Sequence, residues 1–236
     1  MMVLPQLLIA HFIGDFFVQP TSWVRAKEER KLTAWQLYVH SVLHGGLAWL
    51  LVFETGFWKW AIVVAVVHFL IDALKLLFQN ENSKRSWFFI DQLLHLISLY
   101  LIWLWFSGPV IVFPANGWLV ITLLLFLTNP CSFTIKTFIN KWGPFTGDTT
   151  DGSLQSAGKY IGIFERLFVF AFVVTGNWQG IAFLITAKSV FRFGDLKEAK
   201  DRKLTEYILI GTLASFGLAM LAGGIYLRFK KVIITE

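Results

Sequence analysis

The sequence predicts an all-α membrane protein, a polytopic bundle of about eight helical spans, on three observations. Hydrophobic residues make up 56% of the 236 and charged residues only 15%, a balance outside that of soluble domains. Mean hydropathy is +0.62, and the chain divides into successive apolar runs near the ~20 residues that a helix needs to cross a bilayer. Many of the eleven Trp, among them Trp23, Trp35, Trp58, Trp87, Trp118 and Trp142, fall near the ends of those runs, where indole rings sit at the membrane–water boundary. The single cysteine, Cys131, excludes an internal disulfide and is read as a packing residue. A net charge of +6 does not call for nucleic acid, because the positive residues lie between the apolar runs and membrane topology accounts for them.

The first span is expected over residues 2–19. It has no Lys or Arg ahead of it and carries His11 and Asp15 inside it, so it reads as a span and not as a cleaved signal. A charged loop at 25–31 precedes a second span at 33–53. The turn Glu54-Thr55-Gly56 leads to a third at 57–78, and the polar stretch 80–86 to a fourth at 87–106. Pro109, Pro114 and Gly117 then interrupt the chain, which sets off residues 1–107 as a four-helix bundle from a second four-helix region at 108–236, the two packed as one domain. The fifth span is expected at 118–138, kinked or shortened by Pro130. The polar connection 140–158 is long enough to cover a site, and further spans follow at 159–174, 178–191 and 204–227. Fourteen of the 21 Lys and Arg fall in the loops after odd-numbered spans and four on the opposite side, with three inside helices. Positive-inside therefore places those loops in the cytoplasm; the basic run Arg228-Phe229-Lys230-Lys231 runs against that assignment locally.

Within the first four spans, every histidine of the protein belongs to a pair separated by four residues: His11 with Asp15, His40 with His44, His68 with Asp72, and His95 with Asp91. That spacing puts both members on one face of a helix, one turn apart. If the spans alternate in direction, each Asp lies nearer the cytoplasmic end than its His, even where the order in sequence is reversed. At 1.5 Å per residue, Asp15, Asp72, Asp91 and His40 fall roughly 6–11 Å from the helix ends, and His11, His44, His68 and His95 roughly 12–17 Å. Two stacked layers result.

Ionisable groups inside a membrane are costly and face the bundle interior, where they pair or bind ions. Imidazole and carboxylate together suit a divalent transition metal, with Zn the first expectation and Mn or Fe as alternatives. Eight ligands are enough for one or two ions, and a bound ion with an open position would activate water. In that chemistry Asp15, Asp72 or Asp91 is the candidate general base, Gln19 and Gln92 support the ligands, and Lys75 holds an anionic group. A buried hydrogen-bond network, with Lys75 satisfied by Asp72, is the structural alternative. In the second half, Glu165, Arg166, Lys188, Arg192 and Glu206 lie near cytoplasmic helix ends; ion pairs that lock the helices are favoured over head-group binding.

The motifs H-F-I-G-D-F-F-V-Q, H-x-x-x-H, H-F-L-I-D-A-L-K and D-Q-L-L-H over residues 4–105 resemble the bacterial DUF3307 membrane proteins. The resemblance implies a multi-pass protein of the bacterial inner membrane and adds no reaction. A looser similarity to membrane-bound metal-dependent hydrolases transfers no residue. The expectation is a metal-dependent membrane enzyme, most simply a hydrolase acting on an amphiphilic, lipid-like substrate at the cytoplasmic leaflet, with the lipid bilayer as its partner. A divalent-cation or proton transporter is the alternative, together with an accessory subunit holding a structural metal. The nearly all-apolar far halves of the first four spans weigh against transport.

Overall fold

The computed structural model describes residues 3–108, 117–142, 152–193 and 199–234, with side chains for 158–190 and 206–230 in the last two stretches. All regular structure among the described residues is helical: α1 (Val3–Ile13), α2 (Thr21–Arg30), α3 (Trp35–Val52), α4 (Trp58–Phe78), α5 (Lys84–Ser107), α6 (Gly117–Phe126), α7 (Asn129–Ile139), α8 (Gly152–Thr175), α9 (Trp178–Phe193) and α10 (Ala199–Ile234), with short 3-10 and π turns between some of them. Four stretches are long and apolar enough to cross a membrane: Thr55–Phe78, Lys84–Ser107, Gly117–Trp142 and Glu206–Lys230. The bent pair Val3–Val18 and Thr21–Thr33 makes a fifth if counted as one span. Among the described residues, four or five stretches thus have the length and hydropathy to cross a membrane, against the eight spans expected. α3 falls short because Gln36, His40 and His44 dilute its hydropathy.

Two compact units are present, Met1–Thr122 and Leu123–Glu236. In the first, α1 packs on α3 and α5, and α4 packs on the same two helices, which closes a four-helix ring. One half of the ring is filled by apolar side chains from all four helices, including Leu7, Ala48, Val64, Leu99 and Trp103, together with Phe57 just ahead of α4. The tightest approach is between α3 and α4. A Cβ on Gly45 would stand 2.6 Å from the Ala61 carbonyl oxygen, so a side chain there would force the helices apart.

The charged stretch expected as a loop is helix α2, a correction with a clear local cause. Pro20 disfavours helical geometry in the residue before it, and Gln19 is extended, at φ −81° and ψ 106°. The chain turns at that point, and the Pro20 carbonyl accepts from the amides of Trp23 and Val24, opening α2 at 89° to α1. If α1 crosses the bilayer, α2 lies along its surface. Trp23 and Trp35 meet edge to face at 5.5 Å, tying α2 to the start of α3.

In the second unit, α7, α8 and α10 pack on one another and α9 packs on α8. The expected fifth span is broken between α6 and α7, with Pro130 in the first turn of α7, where a missing amide costs least. Arg166 of α8 fills the break: its guanidinium donates to the carbonyls of Leu127 (2.6 Å) and Thr128 (3.1 Å) and to the hydroxyls of Ser132 (2.5 Å) and Ser215 (3.3 Å). Residues 152–158, expected as part of a polar connection, form the start of α8, and the rest of that connection from 143 lies outside the described residues.

Candidate metal centre

α1 does not end at Ile13 but widens into a π-helical turn, Gly14–Val18. Such turns are rare and concentrate at functional sites. Here the turn carries Asp15 inward, and Gly14 lets it approach α3: a Cβ on Gly14 would stand 2.4 Å from both Cε1 and Nε2 of His44. The ring of helices thus places one ionisable pair on each of α1, α3, α4 and α5 around a common centre.

The structure brings all four pairs together. All five imidazoles are buried, at 1–3% exposure, as are Asp72 and Asp91 at 5% and 2%; the Asp15 side chain is 11% exposed. Around Asp15 Oδ1 stand three imidazole Nε2 atoms, from His44 at 3.1 Å, His40 at 3.2 Å and His68 at 3.8 Å. Four ligands at ~2.1 Å around a tetrahedral ion lie about 3.4 Å from one another, so these separations bracket what one ion requires. Asp15, His40, His44 and His68 form one such group, and His68, Asp72 and His95 a second. His68 is common to both; His11 and Asp91 lie outside each.

The polar accounting points the same way. His44 Nε2, His68 Nε2, His11 Nδ1, both nitrogens of His95 and Asp91 Oδ1 are buried without a hydrogen-bond partner. His44 Nε2 is close to Asp15 yet misaligned for a hydrogen bond, as two ligands aimed at a common point would be. Orphaned buried polar atoms are costly singly, and six in one cluster fit a donor set for a cation. His44 and His68 stack at 3.6 Å and 17°, an arrangement that two positively charged rings would resist.

Around the ligands lies a hydrogen-bonded frame. Gln92 Nε2 donates to Asp15 Oδ2 at 2.9 Å and lies 3.4 Å from Asp91 Oδ2, and Gln92 Oε1 lies 3.3 Å from His11 Nε2. Gln19 stands apart from this frame, its Nε2 buried without a partner. Lys75 donates to Asp91 at 2.9 Å, not to Asp72 as the network alternative supposed. The partner of Asp72 is Lys27 of α2, at 2.6 Å. Lys31, held at φ +52°, donates to the Leu76 carbonyl at the end of α4.

Composition places Lys27 and Lys31 in a charged loop, whereas Lys27 lies in α2 and Lys31 caps it. Their signals were Pro20-Thr21-Ser22, a helix start, and the four-residue spacing that puts both lysines on one helical face. The expected layers interleave, since Asp15 meets both His40 and His44. His11, His44, His68 and His95 line a cavity of about 10 Å³ against Leu7, Ala10, Val64 and Ile102, room for one water-sized molecule, whereas Asp72 and Asp91 meet the lysines.

The other charged candidates belong to the second unit. Lys188 pairs with Glu165 at 2.7 Å, and Glu206 is exposed. The Arg166 guanidinium is committed to carbonyl and hydroxyl oxygens, which corrects the expected ion pair. The Arg192 side chain lies outside the described residues.

The model of one protein family, described as a protein of unknown function (DUF3307), matches residues 3–127. The chain belongs to that family. The DUF3307 match takes in α1 to α5 and with them every residue of the histidine–aspartate cluster, while α8 to α10 lie beyond it. No curated protein and no solved structure matches the chain.

Proposed function

We propose that the first unit is a membrane-embedded metal-dependent enzyme, most simply a hydrolase acting on an amphiphilic substrate at the cytoplasmic leaflet of a bacterial inner membrane. The observation that carries this reading is the convergence of three buried imidazole nitrogens on Asp15, of which His40 Nε2 is hydrogen-bonded to Oδ1 while His44 Nε2 and His68 Nε2 have no hydrogen-bond partner. Asp15, His40, His44 and His68 would hold one divalent ion, Zn in the first instance; Asp72 and His95 would hold a second that could share His68 only as an imidazolate bridging through Nδ1 and Nε2. An ion bound there acts as a Lewis acid and lowers the pKa of a water it holds. Asp91 is the general base of this reading: Lys75 fixes Oδ2, and Oδ1 is unpartnered. A transport path is disfavoured because the far half of the ring is filled mainly by apolar side chains, Phe57 and Trp103 among them.

Metal content of the detergent-purified full chain tests the reading by mass spectrometry. Near-stoichiometric transition metal is expected in the wild type, with loss in His68→Ala, which removes a ligand from both groups, and retention in Asp91→Asn. A folded wild type that stays metal-free after incubation with Zn or Mn would overturn it and leave a buried proton-sharing network in its place.

A further inference from the structure

We infer that the rim of the metal centre is a seat for a phosphate group, gripped by the ammonium groups of Lys27 and Lys75; the inference rests on the metal-centre reading above. Lys27 is 6% exposed and arrives from α2, while the Lys75 side chain is 25% exposed and arrives from α4. Each donates to a different carboxylate of the cluster, Asp72 at 2.6 Å and Asp91 at 2.9 Å. Lys31 is already committed to the Leu76 carbonyl, and Lys84 to Glu28 and Glu81.

The charge balance of the cluster supplies the driving force. Asp15, Asp72 and Asp91 against Lys27 and Lys75 leave one net negative charge when the imidazoles are neutral. One divalent cation reverses this to one net positive, and a second adds two more. Uncompensated charge in a low-dielectric interior costs several kcal/mol, so the loaded centre calls for an anion.

The same loading frees one of the two ammonium groups that would bind it, while Lys75, partly exposed, turns a further N–H outward from its bond to Asp91. An ion held by Asp72 competes with the Lys27 ammonium for that carboxylate, and the long flexible stem of lysine lets the ammonium move toward the rim. Lysine is a point-charge binder of phosphate. A tetrahedral oxyanion has enough oxygens to meet the ion and two ammonium groups from separate helices, whereas a carboxylate has only two. Lys27 is carried by α2, which runs at 89° to α1 and so at head-group depth when α1 crosses the bilayer.

The test uses the full chain in detergent, loaded with Mn²⁺, with inorganic phosphate as the probe and the 31P relaxation of phosphate as the readout; bound metal is counted in parallel. Phosphate is expected to relax faster in the loaded wild type than in a buffer of equal free Mn²⁺. Lys27→Met and Lys75→Met should retain metal and lose phosphate affinity by about tenfold each, the equivalent of one charge-assisted hydrogen bond. Lys27→Arg should keep most of the affinity and thereby show that the position is folded. Retained metal with unchanged phosphate relaxation in both Met variants, or no phosphate effect in the loaded wild type, overturns the seat alone. A wild type that takes up no metal overturns the metal-centre reading and the seat together. Competition by phosphatidic acid in mixed micelles at concentrations well below free phosphate assigns the phosphate to a lipid head group, and equal potency assigns it to a soluble ester; either supports the seat.

Discussion

Lys27 of α2 and Asp72 of α4 lie 45 residues apart in sequence and 2.6 Å apart in space, each with a side chain 8% exposed. This ion pair closes α2 over the carboxylate layer. Truncating one partner of such a pair leaves a buried charge without compensation, at about 3–5 kcal/mol. Lys27→Met should therefore lower the thermal midpoint sharply in chelator and regain much of it with Zn, since a bound cation replaces the lost ammonium. Lys84→Met, at a half-exposed pair with Glu28, should change stability by less than about 1 kcal/mol. Equal losses in the two variants would refute the distinction.

Gly14→Ala tests the π-helical turn. The added methyl would stand 2.4 Å from the His44 ring, so the ring or the turn must move, and metal affinity should fall by about 10–100-fold, the scale of changes that disturb ligand orientation. Gly46→Ala, where a Cβ meets nothing within 4 Å, is the control. Competition titration with a chromophoric chelator distinguishes them, and identical affinities would show that Gly14 does not shape the site.

Acid should release the metal. An imidazole must be neutral to ligate, so protons compete with the ion and affinity falls as pH falls. Asp15, His40, His44 and His68 share one group, so metal bound near neutral pH should be lost in acid and recovered when the pH is restored. Metal content unchanged by acid in protein that remains folded would mean that imidazole is not a ligand.

Arg166→Met should separate the stability of the second unit from the chemistry of the first. Removing the guanidinium takes the side-chain donor from the Leu127 carbonyl at the break before α7, at about 1–3 kcal/mol for a buried acceptor, while the Thr128 carbonyl keeps the amide and hydroxyl of Ser132. Lower thermal stability with unchanged metal stoichiometry is expected. Loss of metal in this variant, in protein that remains folded, would contradict it.

The spans around the site were legible because hydrophobicity dominates their environment. α4 and α5 begin and end within about three residues of where apolar runs placed them, and the pairing of every His at four-residue spacing was enough to foresee their convergence. α2 was not legible as a helix, because a run such as Arg25-Ala26-Lys27-Glu28-Glu29-Arg30 has no apolar face and is held by single contacts, Lys27 to Asp72 and Lys31 to Leu76. Pro130 announced the break in the fifth span, but not that Arg166 would fill it. Beside Glu165 an arginine reads as half of an ion pair, and only tertiary structure shows that its partners are carbonyl oxygens. The π turn has no signature in composition, since Gly14 next to Asp15 reads equally well as ordinary helix.

The closed ring of α1, α3, α4 and α5 has a consequence for biogenesis. Asp15, His40, His44 and His68 come from α1, α3 and α4 alone, whereas Lys75 finds its partner Asp91, and His11 its partner Gln92, only on α5. If the helices are made and inserted in order, the first of these groups is complete once α4 is in place, and α5 then closes the ring while the remainder of the chain is still being synthesised.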